Sequence, residues 1–309
     1  MEFIKGMTFG AFAPRGSLKK KEAKISLDRM KERTGADTIV LVPNGLQENA
    51  HTETVFYGTK ASLSDEELTE FIAYAHEIGL KVILKPTVNC MDGTWRAHIN
   101  FFDKDVHCEP KWSNWFASYT AFQTHYARLA RKTDCEMFLI GCEMVQTERR
   151  EEEWRKLILD VRNEYEGLVS YNTDKYQEEN VNWWDALDVI SSSGYYPLGD
   201  WEKELNRIEK VVVKYQKPFF FAEAGCMSMK GSSAVPNNWG MEGALALEEQ
   251  ADWYRGMFAA IEKRDWVGGT CLWDWSCRQY ALSAGVSDKR YELYGKPAEQ
   301  VVRENYLRR

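Results

Sequence analysis

Short apolar runs alternate with amphipathic stretches along the whole of this 309-residue chain. The apolar runs are too short for helices and are bounded by turn-forming or polar residues, as buried strands are, whereas the stretches between them have the apolar spacing of helices. The eight predicted strands are 8–12, 38–43, 81–88, 137–144, 168–173, 188–196, 217–225 and 267–276. The predicted helices are 18–33, 64–78, 112–132, 151–165, 205–215, 245–263 and 297–307. Eight strands alternating with helices predict an α/β fold, a (β/α)8 TIM barrel.

No stretch of the chain has the composition of an interdomain linker, so we expect a single domain over residues 1–309. The alternative fold, an open doubly wound sheet, often carries a glycine-rich phosphate-binding turn after its first strand. The corresponding segment, FGAFAPRG, contains neither the dinucleotide-binding pattern GxGxxG nor the P-loop pattern. The barrel is therefore the favoured fold.

Two of the predicted strands end in the same way, with an apolar run, a small residue or two and a glutamate. Segment 137–144 reads MFLIGCEM and carries Glu143, and segment 217–225 reads KPFFFAEAG and carries Glu223. A continuous apolar run suits a strand that is covered on both faces, where a charge is tolerated only at the strand's end. The carboxyl ends of barrel strands meet at one face of the fold. The sequence therefore predicts a pair of glutamates that could flank a sugar bond.

Residues at the other strand ends indicate what such a site would bind. They include Phe12, Asn44, Lys85, Asn89, Asn172, Asp174, Tyr195, Tyr196, Trp273 and Trp275. A phosphate site usually needs several donors or a helix N-terminus, whereas Lys85 is the single cation of this set. Hydrogen-bonding groups and indoles suit a neutral sugar better. The residues that we expect to contact substrate are Asn44, Lys85, Asn89, Tyr195, Tyr196, Trp273 and Trp275.

Two loop residues are further candidates for substrate binding. His98 lies after the third predicted strand, close in sequence to Trp95 and Arg96, and the alternative is that it packs within the loop. Trp239 lies in the long segment 226–243 after the seventh strand. Its indole either stacks on a sugar or anchors the loop to the barrel. In the first case we expect it on the leaving-group side of the scissile bond.

Charge and motif content argue against several other classes of function. The net charge is −7 and there is no basic stripe, so we expect no nucleic-acid partner. No window is apolar enough for a membrane helix, so we expect no membrane association. The five histidines form neither HxxxH nor HExxH, and we expect no metal and no organic cofactor. The seven cysteines are odd in number and show no CxxC spacing, which favours a reduced, cytoplasmic protein.

The motifs at the strand ends resemble those of known glycosidases. Glu143 and Glu223, with SGYYP at the sixth strand and LWDW at the eighth, are similar to the pattern of retaining glycosidases built on (β/α)8 barrels. More closely, the chain resembles glycoside hydrolase family 113 along its whole length, through MTFG, GCE, GYYP, FAEAG and LWDW. The described members of that family are β-1,4-mannanases. The resemblance implies a hydrolase of carbohydrate metabolism whose partner is an oligosaccharide or polysaccharide.

On this resemblance, Glu223 corresponds to the nucleophile and Glu143 to the general acid/base of a double displacement with net retention. Cys142 departs from the wider superfamily, where an asparagine before the acid/base holds the sugar 2-hydroxyl. A thiol is a weak donor and acceptor, so we expect another group to hold that hydroxyl. Two alternatives stay open here: a retaining β-glycosidase for another backbone, such as glucan or galactan, and a barrel that only binds oligosaccharide.

Overall fold

Ten β-strands are found in the computed structural model, which describes residues 2–309. They are β1 (Ile4–Phe9), β2 (Thr38–Leu41), β3 (Asn44–Gln47), β4 (Lys81–Leu84), β5 (Thr87–Cys90), β6 (Met137–Cys142), β7 (Leu168–Thr173), β8 (Val189–Ser193), β9 (Phe219–Ala224) and β10 (Val267–Trp275). Eight of them close into a parallel barrel in the order β1, β10, β9, β8, β7, β6, β4, β2. The remaining pair, β3 and β5, forms a small parallel sheet. The predicted (β/α)8 barrel is confirmed.

Helices connect most of the successive barrel strands. Their bounds are α1 (Lys21–Thr34), α2 (Asp65–Glu77), α3 (Trp112–Lys132), α4 (Glu151–Arg162), α5 (Trp201–Tyr215), α6 (Leu247–Ile261), α7 (Leu282–Gly285) and α8 (Pro297–Arg308). Ser64 and Glu67 form a reciprocal capping box at the start of α2, with bonds of 3.0 and 3.2 Å. Within residues 2–309, none of the helices combines the length and the apolar character that crossing a membrane requires.

The first strand lies earlier than predicted, at Ile4–Phe9 rather than 8–12. Gly10 and Phe12 have positive φ angles of 57° and 53°, which extended strands do not adopt. The apolar residues that follow Phe9 therefore belong to the loop at the mouth of the barrel, not to its wall.

The predicted strand 81–88 is divided into β4 and β5, with Pro86 between them. Proline has no backbone N–H to offer to a sheet, so the barrel strand ends before it. β5 pairs with β3 instead of extending the barrel. Asn44 and Asn89, two of the predicted site residues, thus lie on a second sheet.

The barrel interior and the layer between barrel and helices are separate apolar clusters. Strand β9 shows the alternation, because Phe220 and Ala222 belong to the interior whereas Phe219 and Phe221 belong to the outer layer. The other buried members of the interior are Val40, Val42, Ile83, Met137, Leu139, Val189 and Cys271. This packed interior leaves the carboxyl ends of the strands as the place for a site.

Strand β6, which Glu143 follows, and strand β9, which contains Glu223, each have an extra residue near the carboxyl end. Leu139 and Cys142 of β6 are three positions apart, but their partners on β7 are two apart. Phe221 and Glu223 of β9 are two apart, but their partners on β8 are adjacent. Such a bulge changes the side of the sheet to which the following residues point. Cys142 and Glu223 are thereby turned toward the mouth of the barrel.

Candidate active site

A cavity of about 630 Å³ opens at the carboxyl ends of the barrel strands. Both predicted catalytic glutamates, Glu143 and Glu223, line this cavity. Four of the predicted substrate contacts line it as well: Asn89, Tyr195, Trp239 and Trp273. The structure therefore brings together residues that are far apart in sequence.

Glu223 is held by three donor side chains. Its Oε1 accepts hydrogen bonds from the Lys85 ammonium and from the Cys142 thiol, the latter at 3.3 Å. Its Oε2 accepts a hydrogen bond from the Tyr195 hydroxyl at 3.0 Å. Lys85 is fully buried and also donates to Asn172 Oδ1 at 3.2 Å. Donors on both oxygens favour the ionised carboxylate and fix its orientation.

Opposing effects act on the ionisation of Glu223. Burial alone would raise the pKa of Glu223, but the charges of Lys85 and Arg96, with hydrogen bonds from Lys85 and Cys142, lower it below the usual range. For Lys85 the effects are reversed: burial alone would lower its pKa, but the charge of Glu223 raises it above the usual value. Glu223 is therefore an ionised carboxylate at neutral pH, as a nucleophile must be.

Glu143 follows the last residue of β6 and has a positive φ of 53°, which is uncommon outside glycine. Its Oε1 accepts a hydrogen bond from Ser193 Oγ at 2.8 Å. Its Oε2 accepts one from Trp95 Nε1 at 3.2 Å and lies 3.5 Å from Arg96 Nη2. Two neutral donors thus orient the carboxyl group, and one cation lies beside it.

The separation of the two carboxylates is short. One oxygen of Glu143 and one of Glu223 lie within 4.8 Å of each other. Retaining glycosidases place their carboxyl groups about 5 Å apart, whereas inverting enzymes leave roughly 6.5–9.5 Å for a water molecule. The spacing here is that of an enzyme that forms a covalent glycosyl intermediate.

Cys142 lies within the same 4.8 Å of both carboxylates, and the three side chains are of types that can bind metals. Their surroundings do not suit a cation, because Lys85 is bonded to Glu223 and Arg96 Nη2 lies 3.6 Å from the Cys142 sulfur. Burial and the charge of Glu223 raise the pKa of the Cys142 thiol well above its usual value. Metal binding requires a thiolate, so this donor set does not favour a metal.

Aromatic rings form one wall of the cavity. Trp273 is nearly buried and lies 5.8 Å from Phe12 and 5.7 Å from Trp239, between ring centroids. Trp239 is 52% exposed and packs at 4.3 Å against Tyr291. An indole that is supported on one side and open on the other can stack on a sugar ring.

Three residues predicted to contact substrate occupy supporting positions instead. Lys85 is buried against Glu223. Asn44 Oδ1 accepts a hydrogen bond from Asn89 Nδ2 at 2.8 Å, so it orients a residue that does line the cavity. His98 is exposed and packs edge-on against Trp95, with ring centroids 5.9 Å apart. The structure thus favours the loop-packing alternative for His98.

Tyr196 does not reach the cavity, in contrast to Tyr195. It is fully buried, and its hydroxyl donates to Glu178 Oε1 at 2.7 Å. Successive residues of an extended chain point to opposite sides, so only one of these two tyrosines can face the site. Our expectation that both contact substrate is corrected accordingly.

Trp275 is also directed away from the cavity, and its Nε1 donates to Ser26 Oγ of α1 at 3.1 Å. Trp273 and Trp275 would share a face in a regular strand. However, β10 has one residue more than β1 between the pairs Met7–Leu272 and Phe9–Trp275. This bulge separates the two indoles, and only Trp273 lines the site.

The groups that orient Glu143 were not predicted from the sequence. Ser193 ends β8, and its role depends on the packing of that strand against its neighbours. Trp95 and Arg96 were noted only as neighbours of His98, yet Arg96 also donates to the Cys142 carbonyl at 2.9 Å and to Asn89 Oδ1 at 3.0 Å. The sequence signal available for these two residues was the adjacent tryptophan and arginine in the loop after the third predicted strand.

A (β/α)8 barrel that places two glutamates at this distance, in a cavity walled by indoles, defines a glycoside hydrolase. Comparison with known proteins then gives the family. The chain belongs to glycoside hydrolase family 113, whose sequence model matches residues 7–296. The family resemblance inferred from the strand-end motifs is confirmed.

Solved structures of this family align with the chain over its whole length. One family 113 β-1,4-mannanase is 55% identical, with a TM-score of 0.99 and 100% of each chain covered. A family 113 β-mannanase from Alicyclobacillus acidocaldarius, in complex with ManMIm, is 42% identical, with a TM-score of 0.96 and coverage of 100% of this chain and 98% of that chain. A β-glucuronidase from Ruminococcus gnavus is 13% identical, with a TM-score of 0.64 over 99% of this chain and 50% of that chain, and shares the fold alone. A search of curated proteins gave no match.

Proposed function

We propose that this glycoside hydrolase is a β-1,4-mannanase that acts on mannan or manno-oligosaccharides with retention at the anomeric carbon. Family membership and the names of the two full-length structural relatives support the substrate. The observation that carries the mechanism is the distance of at most 4.8 Å between oxygens of Glu143 and Glu223. This distance fits a double displacement.

In the first step, a Glu223 oxygen attacks the anomeric carbon, and a new carbon–oxygen bond forms as the glycosidic bond breaks. Glu143 gives its proton to the departing oxygen, so the leaving sugar is released as an alcohol. The Tyr195 hydroxyl, 3.0 Å from Glu223 Oε2, orients the attacking group. The products of this step are a glycosyl ester on Glu223 and an ionised Glu143.

In the second step, Glu143 removes a proton from water, and the water oxygen attacks the anomeric carbon. The ester bond to Glu223 breaks, and the carboxylate leaves with its charge restored. Lys85 is bonded to that carboxylate and stabilises the returning charge. Two inversions at one carbon give net retention.

The buried ion pair between Lys85 and Glu223 bears on the alternative of a barrel that only binds oligosaccharide. An ion pair that served structure alone would not need to face the cavity, but Glu223 lines it. An oxygen of Glu143 also lies within 4.8 Å of an oxygen of Glu223. A purely structural ion pair would not need this second carboxylate. Both facts favour catalysis over binding alone.

Trp273 and Trp239 are the proposed sugar platforms. Trp273 would lie under the reacting sugar, beside Lys85, whose Nζ is 5.8 Å from the indole centroid. Trp239, exposed on the loop after β9, would stack on a sugar of the leaving group. Replacing Trp239 by alanine should then change the product pattern from long oligosaccharides, and an unchanged pattern would count against this placement.

The proposed function is tested by incubating mannohexaose and cellohexaose with the wild type and with Glu143→Ala and Glu223→Ala. Products are followed by chromatography, and their initial anomeric form by NMR. We expect short manno-oligosaccharides with the β configuration from the wild type and none from either variant. Cleavage of cellohexaose alone would reject the mannose assignment, and initial α products would reject retention.

The cytoplasmic location expected from the cysteine content remains a prediction. All seven cysteines are free in the structure. Immunodetection of the protein in fractionated source cells would test it, and recovery from the culture medium would contradict it.

A further inference from the structure

Asp174 is a third carboxylate in the active-site cavity, and the proposed mechanism does not use it. It follows β7 directly and lines the cavity with Glu143 and Lys175. Its side chain is only 9% exposed. Within residues 2–309, its hydrogen-bond donors belong to Lys175: the backbone N–H, and Nζ at 3.5 Å from Oδ2, a distance at which hydrogen bonds are weak.

The surroundings of Asp174 leave its charge poorly compensated. Burial and the charge of Glu143 raise the pKa of Asp174 to about 7, although Lys175 acts in the opposite direction. Glu223 is buried to a similar degree but has donors on both oxygens. Buried polar groups normally have several partners, so a carboxylate that faces a binding cavity and is bonded by Lys175 alone can accept further hydrogen bonds from a ligand.

The position of Asp174 indicates which part of a substrate would supply those donors. Strand β7 is next to β6, and the Glu143 N–H donates to the Asn172 carbonyl of β7 at 2.7 Å. Strand β8 separates Asp174 from the strand that carries Glu223. Asp174 is therefore on the side of the proposed acid/base, which faces the leaving oxygen, rather than on the side of the nucleophile.

We propose that Asp174 binds hydroxyl groups of the sugar on the leaving-group side and so makes turnover depend on a saccharide leaving group. The assignment rests on the proposed retaining mechanism. A carboxylate can accept hydrogen bonds from two hydroxyls of one sugar, and Lys175 beside it can donate to another oxygen. The residue would act on recognition of the leaving sugar and take no part in bond breaking.

Two substrates that differ only on the leaving-group side test the proposal: mannotetraose, and 4-nitrophenyl β-mannobioside, which has no leaving sugar. Asp174→Ala should lower kcat/KM for mannotetraose by roughly 10- to 150-fold, the range for losing hydrogen bonds to a charged group. It should change kcat/KM for the aryl mannobioside by no more than about twofold. Asp174→Asn, which keeps the shape and one acceptor, should show a smaller loss with the same selectivity.

The matched control is Glu179→Gln, which neutralises a carboxylate that is close in sequence but exposed, and which should affect neither substrate. Thermal unfolding of each variant separates misfolding from altered recognition. An equal loss on both substrates in a folded Asp174 variant would overturn the proposal, as would no loss on either. If the wild type cleaved neither substrate, the proposed function itself would fail. This result is distinct from the two outcomes for the Asp174 variant that would overturn the proposal.

Discussion

The ends of β6 and β9 each deliver a glutamate to the same cavity, yet the two carboxylates have different surroundings. Glu223 is bonded by a buried ammonium, a thiol and a phenol. Glu143 is bonded by a serine hydroxyl and an indole, with a guanidinium 3.5 Å away. The first set of partners fixes a negative charge. The second set orients the other carboxyl group through two neutral donors.

With Glu223 as the proposed nucleophile and Glu143 as the proposed acid/base, the partners and not the residue type would divide the chemical work between two identical side chains. A nucleophile must be ionised in the free enzyme, whereas an acid/base must gain and lose a proton in each cycle. The partners of Glu223 come from the residue after β4, from β6 and from the segment after β8, so three separate parts of the barrel set its charge. Variants that remove the glutamates and their partners in turn test this division of roles.

The largest effect should come from Glu223→Ala. Without the nucleophile no glycosyl ester can form, and we expect activity on mannohexaose to fall by at least about 10⁴-fold. With an aryl mannobioside and added azide, the small anion can occupy the vacated space and attack the anomeric carbon directly. The product should be the α-azide, with inverted configuration, detected by NMR. Formation of the β-azide would mean that the two roles are exchanged.

The next largest effect should come from Glu143→Ala. Loss of a general acid typically costs 10²- to 10⁴-fold, and we expect a loss of that order on manno-oligosaccharides. An aryl mannobioside with a good leaving group needs little protonation, so its first step should persist and the glycosyl ester should accumulate as a burst of nitrophenol. Azide should then restore turnover and give the β-azide. A variant without a burst, and with equal losses on both substrates, would contradict the acid/base assignment.

Replacing Lys85 tests whether this cation controls the ionisation of Glu223. Lys85 lowers the pKa of Glu223, so Lys85→Met should raise that pKa, and the nucleophile will then be protonated at higher pH. Loss of an opposite charge at close range disfavours the ionised carboxylate, so we expect the acid limb of kcat/KM to move to higher pH. Lys85→Arg, which keeps the charge, should move it less. An acid limb at the wild-type position in Lys85→Met would show that this ion pair does not control ionisation.

The same substitution has a consequence for stability. Breaking a buried ion pair by removing one partner typically costs about 3–5 kcal/mol, because the remaining charge is left uncompensated. Lys85→Met should therefore destabilise the fold near neutral pH, as measured by denaturant unfolding. The double variant Lys85→Met/Glu223→Gln removes both charges and should recover most of the loss. If the double variant were no more stable than the single one, packing of the lysine stem would be the cause.

The barrel and the glutamate pair could be predicted from sequence because both depend on local pattern. Apolar runs such as 217–225 identify strands, and parallel barrel strands bring their carboxyl ends to one face. Glu143 and Glu223 were found in this way, as was Trp273. These inferences needed no knowledge of which strands are neighbours in the barrel.

The contacts of the site could not be predicted, because they depend on bulges and on long side chains that cross the barrel. Alternation alone puts Trp275 on the same face as Trp273, but the bulge in β10 turns it toward Ser26. Lys85 was expected to meet substrate, but its side chain reaches Glu223 across the barrel mouth. Neither a bulge nor the reach of a lysine can be inferred from the spacing of residues in a strand.

The smallest effect should come from Trp95→Phe, which tests a neutral hydrogen-bond donor of Glu143. The substitution keeps an aromatic ring but removes the N–H that donates to Glu143 Oε2 at 3.2 Å. A neutral hydrogen bond contributes about 0.5–1.5 kcal/mol, so we expect a loss of roughly 2- to 12-fold in kcat/KM on manno-oligosaccharides. The acid limb of the pH profile should stay in place, because Trp95 carries no charge and is not bonded to Glu223. If Trp95→Phe moved the acid limb as far as Lys85→Met does, the distinction between the two glutamates would be lost. The neutral Trp95 donor at Glu143 would then control the ionisation of Glu223 as strongly as the ion pair with Lys85 does.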